Sequence, residues 1–259
     1  MFKNNKPIFE AGKILRIEML ENIRDFSRDY IDIKYKDYSD GIIEGCTIDV
    51  DDRHISINNG IVKYNGKIYL LKGRESLTYE CNNKYVMLKI KFNEINRSEN
   101  FEENTSTIVL DENLNININE MEICRFKLRE GARLRNEHID FMDLSTEFDT
   151  VNIIHSNCSS KGESTLLPIV TQTFAREMLN LNIENPFEVS FLLLCIQSNE
   201  PIKRELIMKY IQSKIEIADR YHSNMEIYQY LLQILNTSKN TNGQSSNGGR
   251  GRHRKILLD

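Results

Sequence analysis

Residues 57–71 read Ile57-Asn-Asn-Gly-Ile-Val-Lys-Tyr-Asn-Gly-Lys-Ile-Tyr-Leu-Leu71, and this stretch decides how the first half of the chain folds. Within it, Asn65-Gly66 separates two short runs in which apolar and polar side chains alternate. Asn-Gly favours a two-residue type I′ turn, because both central residues of that turn need a positive φ. The stretch therefore predicts an antiparallel hairpin of Ile61–Tyr64 and Lys67–Leu71.

The hairpin fixes a register, and the runs before it extend the β-rich region. A two-residue loop places Val62 opposite Tyr69. Two further turn signals, Asp40-Gly41 and Asn59-Gly60, bound the preceding runs. Side chains alternate between the two faces of a strand. The face predicted to be shared by apolar side chains holds Cys46, Ile48, Val50, Ile55 and Ile57, and the opposite face holds Thr47, Asp49, His54 and Ser56. Together these runs predict a tight antiparallel meander whose polar face carries no obvious chemistry.

Periodicity also predicts a helix before the meander and strands after it. Residues from about Ala11 to Tyr30 carry apolar side chains at helical spacing, at Leu15, Met19, Ile23, Phe26 and Tyr30. Period-two alternation predicts strands at Lys84–Phe92, Ser106–Leu110 and Glu122–Arg129, the last with Cys124, Phe126 and Leu128 inward. Asn93–Asn104 is polar and predicted to be a loop, whereas Asp111–Asn119 fits either a strand or irregular structure.

The pattern changes to helical spacing after a Ser-, Thr-, Asn- and Gly-rich tract at Ser145–Thr165, which is predicted to be a connector. Helices are predicted to begin at Pro168, at Asn185-Pro186, at Pro201 and at Ser223, where Ser223 and Glu226 have capping-box spacing. Their inward stripes are predicted to be Val170, Phe174, Met178 and Leu181; Ile202, Leu206, Tyr210, Ile211 and Ile215; and Met225, Tyr228, Leu232 and Leu235. Phe191–Ile196 is apolar all round, which predicts a central, fully covered helix.

These elements predict an α+β fold: an N-terminal helix, an antiparallel β-rich domain, a small C-terminal helical bundle and a disordered basic tail. The predicted boundaries are residues 1–35, 36–144, 145–165 as linker, 166–236 as bundle and 237–259 as tail. Ser238–Gly251 is rich in Asn, Ser and Gly, a composition typical of disorder.

Composition narrows the classes of function. The 259 residues carry a formal charge of −4, so the body of the chain has no global attraction for nucleic acid or anionic membrane. No apolar run is long enough to span a bilayer, and the N-terminus lacks an apolar signal core, so the protein is expected to be made in the cytoplasm and to leave, if at all, by lysis. The five cysteines are scattered and never spaced C-x-x-C, which argues against disulfides and structural zinc. Cys46, Cys124 and Cys195 are instead predicted to be small buried apolar residues.

No phosphate-binding loop or catalytic motif occurs in the sequence. Three weaker clusters could carry chemistry. An oxygen-rich loop of Asp49, Asp51, Asp52 and His54 could hold a divalent ion, although the same residues are typical of a solvated turn. His138, Asp140 and Asp143 are interpreted as the polar edges of a packed segment, and His155 with Cys158 as polar tract residues without a catalytic role. We therefore predict no catalytic, cofactor-binding or metal residues, no cofactor, and a protein that is not an enzyme.

The C-terminal ten residues are basic and end in an apolar tip. Their cations could contact phosphates of nucleic acid. Ile256-Leu257-Leu258 is better suited to docking on a groove or sheet edge of another protein. A tail without function is the third alternative. The predicted partner-docking residues are Arg250, Arg252, Arg254, Lys255, Ile256, Leu257 and Leu258.

One family shares the order of these pieces. A leading helix is followed by Asp40-Gly-Ile-Ile-Glu-Gly45, the hairpin phrase of residues 57–69 and the strand Lys84–Phe92. Glu122-Ile-Cys-Arg-Phe-Lys-Leu-Arg-Glu-Gly-Ala132 then leads to Ile139-Asp140. This order resembles the N-terminal, particle-attaching region of baseplate and tail-fibre proteins of contractile phages and of phage-tail-like bacteriocins such as the R-type pyocins and diffocin. The resemblance covers about residues 10–145.

The resemblance implies a structural baseplate protein of a contractile phage-tail-like particle. Tail fibres usually continue into a long receptor-binding shaft, whereas this chain continues into helices, so the resemblance favours a connector between the baseplate and tail fibres or neighbouring subunits. Its implied partners are other baseplate and tail-fibre proteins, in several copies per particle, with a homo-oligomer as one arrangement and without a membrane. The alternative is a nucleic-acid-binding accessory protein that acts through Arg250–Asp259, and a weaker one is an enzyme with a site around Asp49–His54.

Overall fold

The computed structural model describes residues 1–81 and 83–245 and has the predicted α+β fold. Two compact units are present: Met1–Tyr38, and a second unit that begins at Ser39. The second unit contains all the strands and four of the helices. Within the described residues, none of the helices is both long and apolar enough to span a bilayer. The predicted domain boundaries inside the second unit stay a prediction.

The first unit holds one helix, α1, at Ile17–Tyr35. The sequence predicted a helix there but placed its start too early, at about Ala11. Gly12 has a φ of +84° and Arg16, at the N-cap, is extended, so the backbone becomes helical only at Ile17. The helix continues beyond Tyr30 to Tyr35, the end of the predicted helical segment 1–35.

The predicted hairpin is confirmed. Strands β4 (Gly60–Tyr64) and β5 (Lys67–Leu71) pair antiparallel with Val62 opposite Tyr69. Asn65 and Gly66 have φ values of 47° and 73°, as a type I′ turn requires.

The prediction of a single antiparallel meander, in contrast, is wrong. β1 (Gly41–Gly45), β4 and β5 form one three-stranded sheet, whereas β2 (Ile48–Val50), β3 (His54–Ile57) and β6 (Glu75–Thr78) form another. Gly45 and Cys46 both have positive φ, so the chain turns between β1 and β2. β1 therefore pairs with β4, which lies further along the chain, and β2 pairs with β3.

The two faces of β3 are not divided as predicted. Ile55 and Ile57 are buried, as expected, but Ser56, predicted to face away, is buried as well. Its hydroxyl lies 2.7 Å from that of Ser76 on β6 and accepts a hydrogen bond from Arg74 Nη2 at 3.0 Å. Ser76 on the neighbouring strand and Arg74 just before that strand satisfy the hydroxyl, so burial of this serine leaves no unpaired group.

Gly60 permits the close approach between β4 and the turn after β1. A Cβ at this position would lie 2.4 Å from Cys46 Sγ and 2.5 Å from Cys46 N. We expect Gly60→Ala to lower the free energy of unfolding by about 1–3 kcal/mol, because a packed backbone must move to admit the methyl group. Gly73→Ala is the matched control, since nothing lies within 4 Å of a Cβ there. Urea denaturation compares the two variants, and equal midpoints would contradict this account of Gly60.

The third sheet is built around β7. β7 (Tyr85–Phe92) pairs with β10 (Ser106–Asp111) on one side and with β11 (Glu120–Lys127) on the other. Cys124, Phe126 and Leu128 are buried, as predicted. The predicted loop 93–104 contains a small hairpin of β8 (Asn96–Arg97) and β9 (Glu102–Glu103), whereas residues 112–119 are irregular.

A buried ion-pair network lies on the face of β7 that carries Lys89 and Lys91. Lys89 is fully buried; its Nζ lies 3.2 Å from Asp111 Oδ2 and 3.3 Å from Glu120 Oε2, and it donates a hydrogen bond to Asn115 O at 2.8 Å. Lys91, two residues along, reaches the same two carboxylates from a partly exposed position. Burial raises the pKa of Glu120, but hydrogen bonds from Asn117, Lys89 and Lys91 outweigh it and lower that pKa to about 2.

The segment 145–165, predicted to be a connector, joins the β-rich and helical parts and is itself packed. Thr150, Ser156, Ser159 and Thr165 are buried, and Cys158 forms isolated β-bridges to Ile42 and Thr165. Hydroxyl groups at these positions hydrogen-bond nearby carbonyls; Thr165 Oγ1, for example, donates to Ile202 O at 2.8 Å. A polar composition is therefore compatible with burial here, because the polar groups find partners.

Four helices follow: α2 (Pro168–Leu179), α3 (Pro186–Gln197), α4 (Arg204–Gln212) and α5 (Asn224–Ser245). Pro168 stands in the first turn of α2, and Asn185 caps α3 by accepting from Phe187 N at 3.0 Å. The predicted capping box before α5 is confirmed, since Glu226 Oε2 accepts from Ser223 N at 2.8 Å and Glu226 N donates to Ser223 Oγ at 3.3 Å. α5 extends through Ser245, beyond the predicted end of the bundle at residue 236.

Candidate docking surface

An apolar face on α3 is the main feature of the second unit that sequence analysis missed. Phe191–Ile196 predicted a fully covered helix, and this prediction is wrong: Leu193 is 52% exposed and Leu194 44%, and Phe187 in the first turn is 87% exposed. The buried residues of α3 are Glu188, Leu192 and Cys195, and Phe191 and Ile196 are partly buried against the core. The helix lies at the edge of the bundle, so the described residues leave its other large apolar side chains largely exposed.

α4 continues this apolar face. Leu206, predicted to point inward, is 45% exposed, while Ile207 beside it is buried. The sequence placed the inward stripe of α4 one residue out of phase at this position, because Leu206 and Ile207 are equally apolar and periodicity alone does not choose between them.

A groove of about 620 Å³ lies between these two helices. We call it the α3–α4 groove; its apolar lining residues are Phe187, Phe191, Leu194, Leu206 and Tyr210. The rings of Phe191 and Tyr210 stack with centroids 4.2 Å apart, which fixes the shape of the groove floor. Lys209 and Lys214 add positive charge to its lining.

A buried carboxylate anchors the floor of the groove. Glu188 Oε1 accepts a hydrogen bond from Tyr210 Oη at 2.9 Å, and Glu188 Oε2 pairs with Lys214 Nζ at 2.5 Å. Burial, together with the negative charge of Glu188, raises the pKa of Tyr210, so the phenol stays protonated and donates. Lys214 is already paired with Glu188. Lys209 also lines the groove, and no ion pair joins it to a described residue. The groove is thus suited to an apolar segment with an acidic residue near Lys209.

The acidic loop Asp49–His54 is not arranged as a metal-binding site. Asp51 accepts from the backbone of Arg53 and His54, Asp49 from Asn58 Nδ2 at 2.9 Å, and Asp52 pairs with Arg133 at 3.3 Å. Across residues 1–81 and 83–245, the structure holds no group of three or more His, Cys, Asp or Glu side chains placed to bind a metal ion.

The other two clusters are occupied by contacts within the chain. Asp143 pairs with Arg135 at 2.5 Å, which lowers the pKa of this carboxyl. Asp140 Oδ1 accepts from the backbone N–H of Asp143, within the 3₁₀ helix Met142–Ser145, at 2.8 Å. His138 Nε2 lies 2.8 Å from Val151 O.

Cys158 is buried and its thiol donates to Ile42 O at 3.3 Å. Burial raises the pKa of Cys158 to about 12, so a reactive thiolate is disfavoured at neutral pH. Burial also lowers the pKa of His155. Cys46, Cys124 and Cys195 are buried, as predicted. The predicted docking residues Arg250–Leu258 lie outside the described residues.

Comparisons with known proteins gave structural neighbours alone. No family model matches the chain, and no curated protein does. The chain is similar to a solved structure described as TssK, at 11% identity and a TM-score of 0.42, over 89% of this chain and 69% of the other. It is also similar to a chain of a TssK–TssF–TssG baseplate subcomplex of the type VI secretion system, at 10% identity and a TM-score of 0.39, over 93% of this chain and 100% of the other. A third similar structure is described as the baseplate complex from the type VI secretion system, at 9% identity and a TM-score of 0.35, over 90% of this chain and 100% of the other. All three TM-scores are below 0.5, so the function has to follow from the residues of this chain.

Proposed function

We propose that the protein is a structural, non-enzymatic baseplate component of a contractile phage-tail-like particle, which connects the baseplate to tail fibres or neighbouring subunits. The observation that carries the proposal is the exposed apolar face that α3 and α4 present along the α3–α4 groove, with Phe187, Leu194 and Leu206 at least 44% exposed. Contiguous apolar surface of this kind marks sites of protein–protein contact. The order of turn glycines and strands in residues 10–145, which resembles the particle-attaching region of such proteins, supports the choice of particle.

The polar residues that could have indicated catalysis support the same proposal. The carboxylates of Asp49, Asp51 and Asp143 accept hydrogen bonds from neighbouring backbone or side-chain groups. Groups held by structural partners stabilise a rigid body, and a rigid body with an apolar face is what an assembly subunit needs. The protein then acts by contact rather than by chemistry.

The α3–α4 groove is proposed to receive a segment of a neighbouring baseplate or tail-fibre subunit. An amphipathic helix fits such a groove, because it offers apolar side chains at i, i+3 and i+4 to a groove between two helices. Lys209 favours a partner that presents an acidic side chain at the edge of the contact.

Leu194→Asp is expected to remove the protein from its particle. The substitution places a charge in the apolar contact, and burying an unpaired carboxylate costs several kcal/mol. We expect at least about a tenfold loss of the protein from purified particles, measured by quantitative mass spectrometry. Ile169→Asp is the matched control: this side chain on α2 is also apolar and is 43% exposed, and it lies in the same unit but outside both the groove and residues 10–145.

Two results would contradict the proposal. One is the absence of the wild-type protein from particles purified from the producing cells. The other is an equal loss with Leu194→Asp and Ile169→Asp, which would indicate that any added charge disturbs assembly. Both variants are expected to keep the wild-type unfolding midpoint, because each site is exposed.

A further inference from the structure

α1 carries a second, separate pattern that its own unit cannot bury. Apolar side chains recur at spacings of four, three, four and three residues, which is the a/d pattern of a heptad repeat. We call these side chains the α1 seam; they are Met19, Ile23, Phe26, Tyr30 and Ile33. Every a and d position within α1 is therefore apolar.

Four of the five seam side chains are exposed: Ile23 is 47% exposed, Phe26 58%, Tyr30 60% and Ile33 76%. Met19 is partly buried. The first unit consists of residues 1–38 and has one helix, so it offers no second helix against which these side chains could pack. A seam with a period of 3.5 residues is matched by another helix that carries the same repeat.

Charges beside the seam select the partner. In the heptad with Ile23 at a, the e and g positions within α1 are Leu20, Asn22, Ser27, Asp29 and Lys34. Asp29 at g and Lys34 at e are the charged ones, and they have opposite signs. In two parallel helices in register, g of one helix faces the e position five residues further along its partner, so Asp29 faces Lys34 of the other copy.

Asp29 and Lys34 cannot form an ion pair within one helix, because they are five residues apart and side chains on a helix contact each other at spacings of three and four residues. Lys34 lies instead over the ring of its neighbour Tyr35, with Nζ 5.2 Å from the centroid. Away from the seam, charged side chains dominate: Arg24 and Asp25 pair with each other at 2.6 Å on the outer surface. The helix is thus apolar along one line and solvated along the opposite one.

We propose that α1 associates with α1 of a second copy of this chain, parallel and in register, as a short coiled coil. The seam supplies the buried contact, and the two symmetric Asp29–Lys34 pairs set the direction and register. α1 has 19 residues and a length of about 28 Å, so the contact is short and reversible. The inference does not depend on the baseplate assignment.

The first test changes the seam in the full chain. Phe26→Asp is expected to weaken self-association at least about tenfold, because it places a carboxylate in the coiled-coil core. Ile31→Asp is the matched control, since it removes an apolar side chain and adds the same charge outside the a, d, e and g positions. Sedimentation equilibrium over a range of concentrations gives the dissociation constants.

The second test separates a parallel pair from other arrangements. Asp29→Lys and Lys34→Asp should each weaken association several-fold, because each brings like charges together. The double variant Asp29→Lys/Lys34→Asp keeps the wild-type net charge and should restore association. No restoration would overturn the parallel arrangement.

Three further results would overturn the proposal as a whole. These are a wild-type chain that stays monomeric at about 100 µM, equal effects of Phe26→Asp and Ile31→Asp, and association that survives Phe26→Asp but is lost with Leu194→Asp. The last result would place the self-contact in the α3–α4 groove. The unfolding midpoint of the second unit, which contains none of the seam residues, confirms that the Phe26→Asp and Ile31→Asp chains are folded.

Discussion

Lys89→Met is expected to lower the free energy of unfolding by about 3–5 kcal/mol, one of the two largest effects that we predict for a single substitution in this protein. Lys89 is fully buried on the central strand β7, between Asp111 and Glu120. Removing its ammonium group leaves Glu120, itself nearly buried, without its interior partner and leaves Asn115 O without a donor. Lys91 and Asn117 still contact Glu120, but the loss of its buried cationic partner costs more than the methionine side chain regains by packing.

Lys91→Met is the matched control for this prediction. Lys91 is on the same strand and contacts the same carboxylates, at 3.6 Å and 3.3 Å, but its side chain is 40% exposed. Because water screens the pair, its loss should cost about 1 kcal/mol or less. Urea denaturation followed by circular dichroism measures both free energies. Equal effects of the two substitutions would show that burial of Lys89 does not set the strength of the network.

A triple variant tests the cause of the loss. Lys89→Met combined with Asp111→Asn and Glu120→Gln removes the buried ammonium together with both carboxylates and leaves only the partly exposed Lys91 charged. Replacing the buried charged members of a network together is often nearly neutral. We therefore expect the triple variant to be more stable than Lys89→Met alone, and the opposite order would contradict the electrostatic explanation.

Local signals in the sequence predicted the elements well. The hairpin β4–β5 and its register follow from Asn65-Gly66, because two residues with positive φ fix both the turn and the pairing. The capping box of Ser223 and Glu226 likewise lies within four consecutive residues. Such signals are independent of the remainder of the chain, so they can be read without it.

Pairing between distant strands could not be predicted in the same way. β1 pairs with β4 rather than β2, and nothing in the alternation of β1 distinguishes the two partners. The burial of Lys89 also depends on residues 111–120, which follow it by more than twenty positions and cover its face of β7. A lysine in an alternating strand normally indicates a solvated face.

The candidate docking surface was missed for a related reason. An apolar helix such as Phe191–Ile196 has the same composition whether it lies in the centre of a bundle or at its edge. Its position depends on how many helices pack around it. The structure places α3 at the edge, so Phe187 and Leu194 become a surface instead of a core.

Arg204 holds together three segments that are distant in sequence. Its guanidinium is buried and donates to Ser164 O at 2.6 Å, to His222 O at 2.7 Å and to Asn224 Oδ1. These acceptors belong to the packed segment before α2, to the turn before α5 and to the first residue of α5. Asn224 Nδ2 in turn donates to Ser156 O at 2.8 Å, so one arginine links the start of two helices to the segment that follows the β-rich part.

Arg204→Leu is expected to lower the free energy of unfolding by about 3–5 kcal/mol, because it leaves three acceptors without their donor in the interior and each unsatisfied group costs about 1–3 kcal/mol. Arg204→Lys should recover only part of the loss, since an ammonium group does not reproduce the planar arrangement of guanidinium donors. Thermal and urea unfolding measure the two variants against wild type.

Arg220→Leu is the control for Arg204→Leu. Arg220 lies in the same turn before α5 and pairs with Glu226 at 2.5 Å, but its side chain is 54% exposed. An exposed pair contributes about 1 kcal/mol or less. The two leucine substitutions remove the same group, so a difference between them isolates the contribution of burial. An equal loss in free energy of unfolding with the two substitutions would mean that the three acceptors find new partners. The proposed link between the helices and the packed segment would then not hold.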